Sequence, residues 1–312
     1  MANVQQRSAR LCAALVAAAV LGAGAASSNA SAAAGAQPAP EQLMALAFPG
    51  WAESPAAHVQ TVSLPAPAPG AFRDGWNAGQ ARVIAEPRLV LRLDPGQVML
   101  IAGLIPAGED GKPAAGQLTP MALASYRFEQ HGANWILAGH QGVFAWRGFN
   151  GTAQVRAVAL SAQRQGIGVE YGSCWDGYCG TWMALYEVDK GAVRREPAVE
   201  MALSGSNADS AADCTRRLQP LLKPRAPEAA QPAVSASEGG RPETHDCYAI
   251  DSSWTIDPSR DQPGDIVVRY QGAMSRAEAW LASPMPVDQR QVLRYGSGKY
   301  RAVSGFNPVP PI

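Results

Sequence analysis

Charge is scarce in this 312-residue chain, and it is balanced. Lys and Arg number 26, Asp and Glu number 26, and charged residues make up 17% of the whole. A chain without a basic excess has nothing with which to neutralise many phosphates, so nucleic acid is excluded as a partner. Histidine is rarer still, at four residues: His58, His131, His140 and His245. Missing too are Gly-x-Ser-x-Gly, His-Glu-x-x-His, a phosphate-cradling Walker loop and a Gly-x-Gly-x-x-Gly that opens a helix. No cofactor and no metal is therefore expected. Cys174 and Cys179 have no neighbouring His and are poorly spaced for zinc. No Cys-x-x-Cys stands ahead of a helix for thiol redox chemistry. Beyond the first 25 residues, no run is long and apolar enough to span a bilayer.

What is present starts with Ser173-Cys174-Trp175-Asp176-Gly177-Tyr178-Cys179-Gly180-Thr181. Asp-Gly between aromatic residues signals a two-residue hairpin loop, because both loop residues must take positive φ. With Asp176 and Gly177 as the loop, Trp175 faces Tyr178 and Cys174 faces Cys179 at a non-hydrogen-bonded position. Cα atoms approach to about 4.5 Å there, which a disulfide can bridge. The spacing predicts a hairpin stapled across its strands, and with it an oxidising compartment.

The N-terminus points to the same compartment. Arg7 and Arg10 precede an apolar stretch, Leu11 to Leu21, and Ala23-Gly24-Ala25 fits a small-residue cleavage site. Residues 1–25 read as a secretory signal peptide, cleaved near Ala25, for a periplasmic or secreted protein. Its removal takes Cys12, two basic residues and no acidic ones. Cys174, Cys179, Cys214 and Cys247 remain, and an even count in an exported chain favours disulfides. Four cysteines allow three connectivities. The hairpin selects 174–179 and so leaves 214–247.

Residues 26–70 are expected to be a flexible segment holding a short helix from Pro40. Residues 71–222 form a main antiparallel β domain, 223–246 a Pro/Ala-rich disordered linker, and 247–312 a small C-terminal β subdomain. Strands are expected at Leu89–Leu93 and Val98–Ile101 around the turn Asp94-Pro95-Gly96, then at Met121–Phe128 and Trp135–Leu137. The series continues through Val143–Trp146 and Val155–Leu160, around Asn150-Gly151, and through Ile167–Tyr171 and Thr181–Val188. Beyond the linker, strands are expected at Cys247–Ile256, Asp265–Tyr270, Gln291–Tyr295 and Tyr300–Val303. Residues 206–222 read as helical, and Ser275-Arg276-Ala277-Glu278 as a capping box opening a helix through Leu281. Ser204-Gly205-Ser206-Asn207 reads as a helix-entry loop. The fold class is mainly β: an antiparallel sandwich or an irregular propeller-like array of hairpins, with a few short helices.

Chemistry is harder to find. No catalytic residue can be assigned. Asp257, Asp261 and Asp265 lack the alternation of a calcium loop and read as a solvated turn. The eight tryptophans are the richest resource. Trp175 and Tyr178 flank the hairpin tip, where aromatic residues serve either packing or recognition. Trp146-Arg147 opens a second aromatic turn, with Arg147 able to stack on or pair with a ligand. Trp175, Tyr178, Arg147 and Trp146 are therefore the candidate binding residues. The first functional expectation is an exported bacterial envelope protein, a non-enzymatic binding or structural accessory module for a protein, glycan or peptide. The alternative is an envelope hydrolase with an acid/base site built from His140 and a carboxylate. A third reading rests on Arg294-Tyr295-Gly296-Ser297-Gly298-Lys299-Tyr300, which resembles the Ser-Gly-x-x-Tyr loop of periplasmic lysozyme inhibitors. It is one residue shorter between Gly298 and Tyr300. That resemblance implies an inhibitor of a lysozyme-like hydrolase, and it identifies no family.

Overall fold

The computed structural model describes residues 37–65, 76, 78–210, 212–221, 246–276 and 284–311. The expected signal peptide, Trp280 and His245 lie outside these residues, as does the expected linker apart from Asp246. The fold is mainly antiparallel β, made of two consecutive meanders. The first is a five-stranded sheet in chain order: β1 (Val59–Leu64), β2 (Gly79–Asp94), β3 (Gln97–Pro106), β4 (Met121–His131) and β5 (Asn134–Arg147). The second has nine strands: β6 (Gln154–Ala159), β7 (Gln165–Trp175), β8 (Tyr178–Asp189), β9 (Ala192–Val193), β10 (Val199–Ser206), β11 (Cys247–Ile256), β12 (Ile266–Ser275), β13 (Met285–Gly296) and β14 (Lys299–Ser304). Its order is β14-β13-β12-β11-β10-β8-β7-β6, with β9 paired to β8. This sheet takes strands from both sides of residues 222–245, joined where β10 pairs with β11. Among the described residues there are two short α-helices, α1 (Pro40–Ala47) and α2 (Ala212–Leu218).

Alternation of side chains along each strand sorts the core into layers. β3 is buried almost throughout because both of its faces are covered. Val98, Leu100, Ala102 and Leu104 face α1, Trp51 and Trp76. Met99, Ile101 and Ile105 face the other way, toward Ile167, Val169, Ala184 and Tyr186 of the second sheet. The second sheet in turn buries Met183, Leu185, Tyr248, Ile250, Val268, Tyr270 and Tyr300 together. It curls until the Tyr300 amide donates to the Ala198 carbonyl at 2.8 Å, just ahead of β10. Gln141 ties β5 to β9 with both ends of its amide: Nε2 donates to the Val193 carbonyl at 2.7 Å, and Oε1 accepts from the Val193 amide at 2.8 Å.

Some local expectations need correction. Ser204, Gly205 and Ser206 belong to β10, not to a helix-entry loop, so α2 starts only at Ala212. Ser275 ends β12, and its hydroxyl accepts from Arg217 at 2.9 Å. The helix expected after it falls on residues 277–283, which lie outside the described region. β1, β10 and the first half of β2 are strands that carry no clear alternation in the sequence.

Candidate binding site on the cysteine hairpin

β7 and β8 build the hairpin in the register set by Asp176-Gly177. Both loop residues have positive φ, at 48° and 81°. Trp175 pairs with Tyr178 and Cys174 with Cys179. The Cys174–Cys179 disulfide spans Cα atoms 4.1 Å apart, and Cys214 pairs with Cys247. Two disulfides are consistent with an exported protein. Gly177 is required twice over. Its φ suits glycine, and a Cβ would run into the backbone of Asp209 and Ser210. Gln117 Nε2 donates to the Cys174 carbonyl at 3.1 Å from another side. The tip is thus held by its turn, its disulfide and two neighbouring loops.

Strand alternation separates the two faces of this hairpin. Tyr171, Ser173 and Trp175 share one face with Tyr178 and Trp182, while the cysteines point to the opposite one. Cys174 is exposed, so the aromatic rings do not cover its disulfide. They form a row instead. Trp175 lies 6.3 Å from Trp182 with 7° between ring planes, and Trp182 lies 6.0 Å from Tyr171 at 19°. Buried Phe149 packs against the row, 5.6 Å from Trp182 and 6.1 Å from both Tyr171 and Trp175. Tyr171, Trp175, Tyr178 and Trp182 are each half-buried.

Three other tryptophans use their indole N–H groups internally. Trp51 donates to the Ala85 carbonyl at 2.9 Å, Trp76 to the Pro120 carbonyl at 2.8 Å, and Trp254 to Glu170 at 3.0 Å. Trp175 and Trp182 have no such partner among the described residues, nor do Trp135 and Trp146, and none of these four N–H groups is sealed from solvent. The hydroxyls of Ser173 and Tyr178 on the same face are likewise without a partner among the described residues. A tryptophan with an apolar body packed and its polar edge wet suits recognition.

A charged group closes one end of the row. Arg147 Nη2 donates to Glu200 Oε2 at 2.7 Å, and the Tyr171 hydroxyl donates to Glu200 Oε1 at 2.8 Å. The Arg147 guanidinium also lies 5.9 Å from the centre of the Tyr186 ring. Burial, followed by the charge and hydrogen bond of Glu200, pushes the Tyr171 hydroxyl far above the usual tyrosine range. Tyr171 is therefore a fixed donor at any physiological pH. Glu200 has both oxygens engaged, yet its side chain remains 42% exposed. Each oxygen keeps a lone pair for a further donor.

No family model, curated protein or solved structure matches this chain. The site must be read from its own geometry. Arg147 and Trp175 come to one face through Phe149, which the turn 148–152 delivers; Gly148, Asn150 and Gly151 all have positive φ there. Tyr178 faces Trp175 across the hairpin. Trp146 is not brought to this group. Adjacent strand residues point to opposite faces, and Trp146 packs edge-on against Trp76 at 4.9 Å on the α1 side. Tyr171 and Trp182 were legible in principle, because the register that pairs the cysteines also pairs them. No local signal marks Phe149 or Glu200.

The other candidate residues lie elsewhere. His140 is exposed beside the Tyr126 ring and makes no ion pair among the described residues. His58 stacks on Trp51 at 4.8 Å, and His131 is exposed. Asp265 pairs with Arg294, which holds its carboxyl below the usual range. Ser259 lowers the Asp257 carboxyl below its usual range, first through its side-chain hydrogen bond and then through its amide, which donates to Asp257 Oδ1. Among the described residues no three metal-ligating side chains cluster, and no helix is long and apolar enough to cross a membrane. The inhibitor-like stretch forms the β13–β14 turn, with Ser297 and Gly298 as its positive-φ pair. Tyr300 is only 6% exposed and packs into the core of the second sheet, so it does not project from the loop. Tyr295 donates to buried Glu187 at 2.6 Å, which ties this hairpin to β8.

Proposed function

We propose that the chain is an exported envelope protein that acts as a non-enzymatic binding module. Its ligand surface is the aromatic face of the cysteine hairpin: Tyr171, Trp175, Tyr178 and Trp182, bounded by Arg147 and Glu200. One observation carries this reading. Trp175 and Trp182 lie near-parallel in a row with Tyr171 on one face of the stapled hairpin, half-buried and with their indole N–H groups open to solvent. Packing alone explains buried rings and does not call for wet donors on a rigid, stapled hairpin.

The test is a pull-down from bacterial envelope extract with the chain lacking residues 1–25, beside a Trp175→Ala/Tyr178→Ala variant. A protein or glycan recovered by the first and lost by the second supports the reading. Equal recovery by both assigns these aromatics to packing and removes the proposed surface.

A further inference from the structure

We infer that the ligand of this aromatic face is a neutral glycan strand, an inference that rests on the binding reading above. Three features narrow the chemistry. First, a peptide strand could add only along a short outer edge of β7. β6 covers β7 as far as Glu170, β8 lies between β7 and β10, and from Tyr171 to Trp175 the outer edge of β7 is met by Gln117, which donates to the Cys174 carbonyl.

Second, the face offers no free cation to an anionic ligand. Arg147 Nη2 is committed to Glu200, Nη1 to the Trp146 carbonyl, and Nε is buried. A bidentate clamp on carboxylate or phosphate needs those same donors. The charges left outward are Glu200, with its side chain 42% exposed, and Asp176 at the exposed turn. Both repel anions.

Third, the polar groups demand a partner that both accepts and donates. The indole N–H groups of Trp175 and Trp182 must meet acceptors, whereas the carboxylate of Glu200 must meet a donor. A proline-rich peptide presents apolar rings and carbonyls but no N–H at its prolines. It would displace water from the exposed side of Glu200 without supplying a donor in its place, at a desolvation cost. A pyranose has an apolar ring face to lie on the Tyr171–Trp182–Trp175 row. Its hydroxyls donate and accept around the rim. Successive sugars of a strand would follow the row, with the hydroxyls of Ser173 and Tyr178 beside it.

The experiment titrates the chain lacking residues 1–25 with two neutral hexasaccharides, cellohexaose and the N-acetylglucosamine hexamer. Tryptophan fluorescence and calorimetry are the readouts. A sulfated hexasaccharide and a proline-rich decapeptide run alongside. Saturable binding of a neutral hexasaccharide is expected. Trp182→Ala should weaken it by about tenfold or more, and Trp182→Phe, which keeps a ring but loses the N–H, by several-fold. His140→Ala, outside the face, should bind as the parent does. Intact disulfides by mass and an unchanged far-UV spectrum confirm that each variant is folded. Failure of both neutral hexasaccharides, or tighter binding of the sulfated sugar or the peptide, overturns the glycan inference. If the envelope pull-down still separates parent from variant, the binding module stands without its glycan. An indifferent pull-down removes both.

Discussion

The two disulfides sit in opposite surroundings and do different work. Cys214 and Cys247 are both fully buried, packed with Leu218 and Ala273, and their bond spans 33 residues of sequence. It fastens α2 to β11. Cys174–Cys179 spans five, and Cys174 is exposed. Its strands are already paired by a turn that needs no help. The first bond limits the unfolded chain and anchors tertiary structure. The second stiffens one surface hairpin whose other face carries the aromatic row. A disulfide's contribution thus follows from what it closes, and here the weaker closure lies behind the aromatic row.

Removing the buried bond should have the largest effect. For Cys214→Ser/Cys247→Ser the loop-entropy argument gives about 4 kcal/mol, or roughly 8 °C in melting temperature for a chain of this size. Thermal and urea unfolding measure it, and a loss no greater than that of the hairpin pair would erase the contrast. Cys174→Ser/Cys179→Ser should cost about 2 kcal/mol or less, because the short loop leaves little entropy to remove. Its clearer signature is kinetic. In graded dithiothreitol, alkylation and mass spectrometry should find Cys174 and Cys179 modified well before Cys214 and Cys247, since exchange requires access to sulfur.

Gly177→Ala sharpens the comparison without touching either bond. Positive φ and the close backbone of Asp209 and Ser210 predict a loss of about 1–2 kcal/mol. Ligand recovery should fall even though both disulfides persist in the mass spectrum. The smallest effect is at alkaline pH. Burial pushes the Tyr126 hydroxyl up from 10.0 to about 12. The folded pKa is thus above the unfolded one, and the folded state favours the protonated form. Its contribution is full below pH 10 and is lost as pH rises toward 12. Urea midpoints should fall across that window, and the 295 nm absorbance of phenolate should lag behind that of the unfolded chain. A flat midpoint from pH 10 to 12 would show that this burial carries no such linkage.

The strands best marked in the sequence were those with turn residues at both ends. Asp94-Pro95-Gly96 and Asn150-Gly151 marked real turns, and Asp176-Gly177 set a register correct to the residue. β10 was missed because its alternation is broken by a bulge between Ala202 and Ser204, and because its end, Ser-Gly-Ser, looks like a loop. Its strand character comes from having β8 on one side and β11 on the other. The same strand supplies Glu200, so an unread strand left half of the charged pair unread. Trp146 shows the complementary error. Being next to Arg147 in sequence put it on the opposite side of the sheet.

By itself, the sequence determined the class of the fold, the cysteine hairpin and the pairing across it. Those are short-range matters, decided by which residues tolerate positive φ and by the two-residue period of a strand. Only tertiary structure decided that Phe149 would pack against the hairpin rings, that Glu200 would take both Arg147 and Tyr171, and that the indole edges of Trp175 and Trp182 would stay wet. Each joins segments tens of residues apart, and each depends on which faces two sheets bury against one another. Neither composition nor spacing encodes that choice in a form readable one segment at a time.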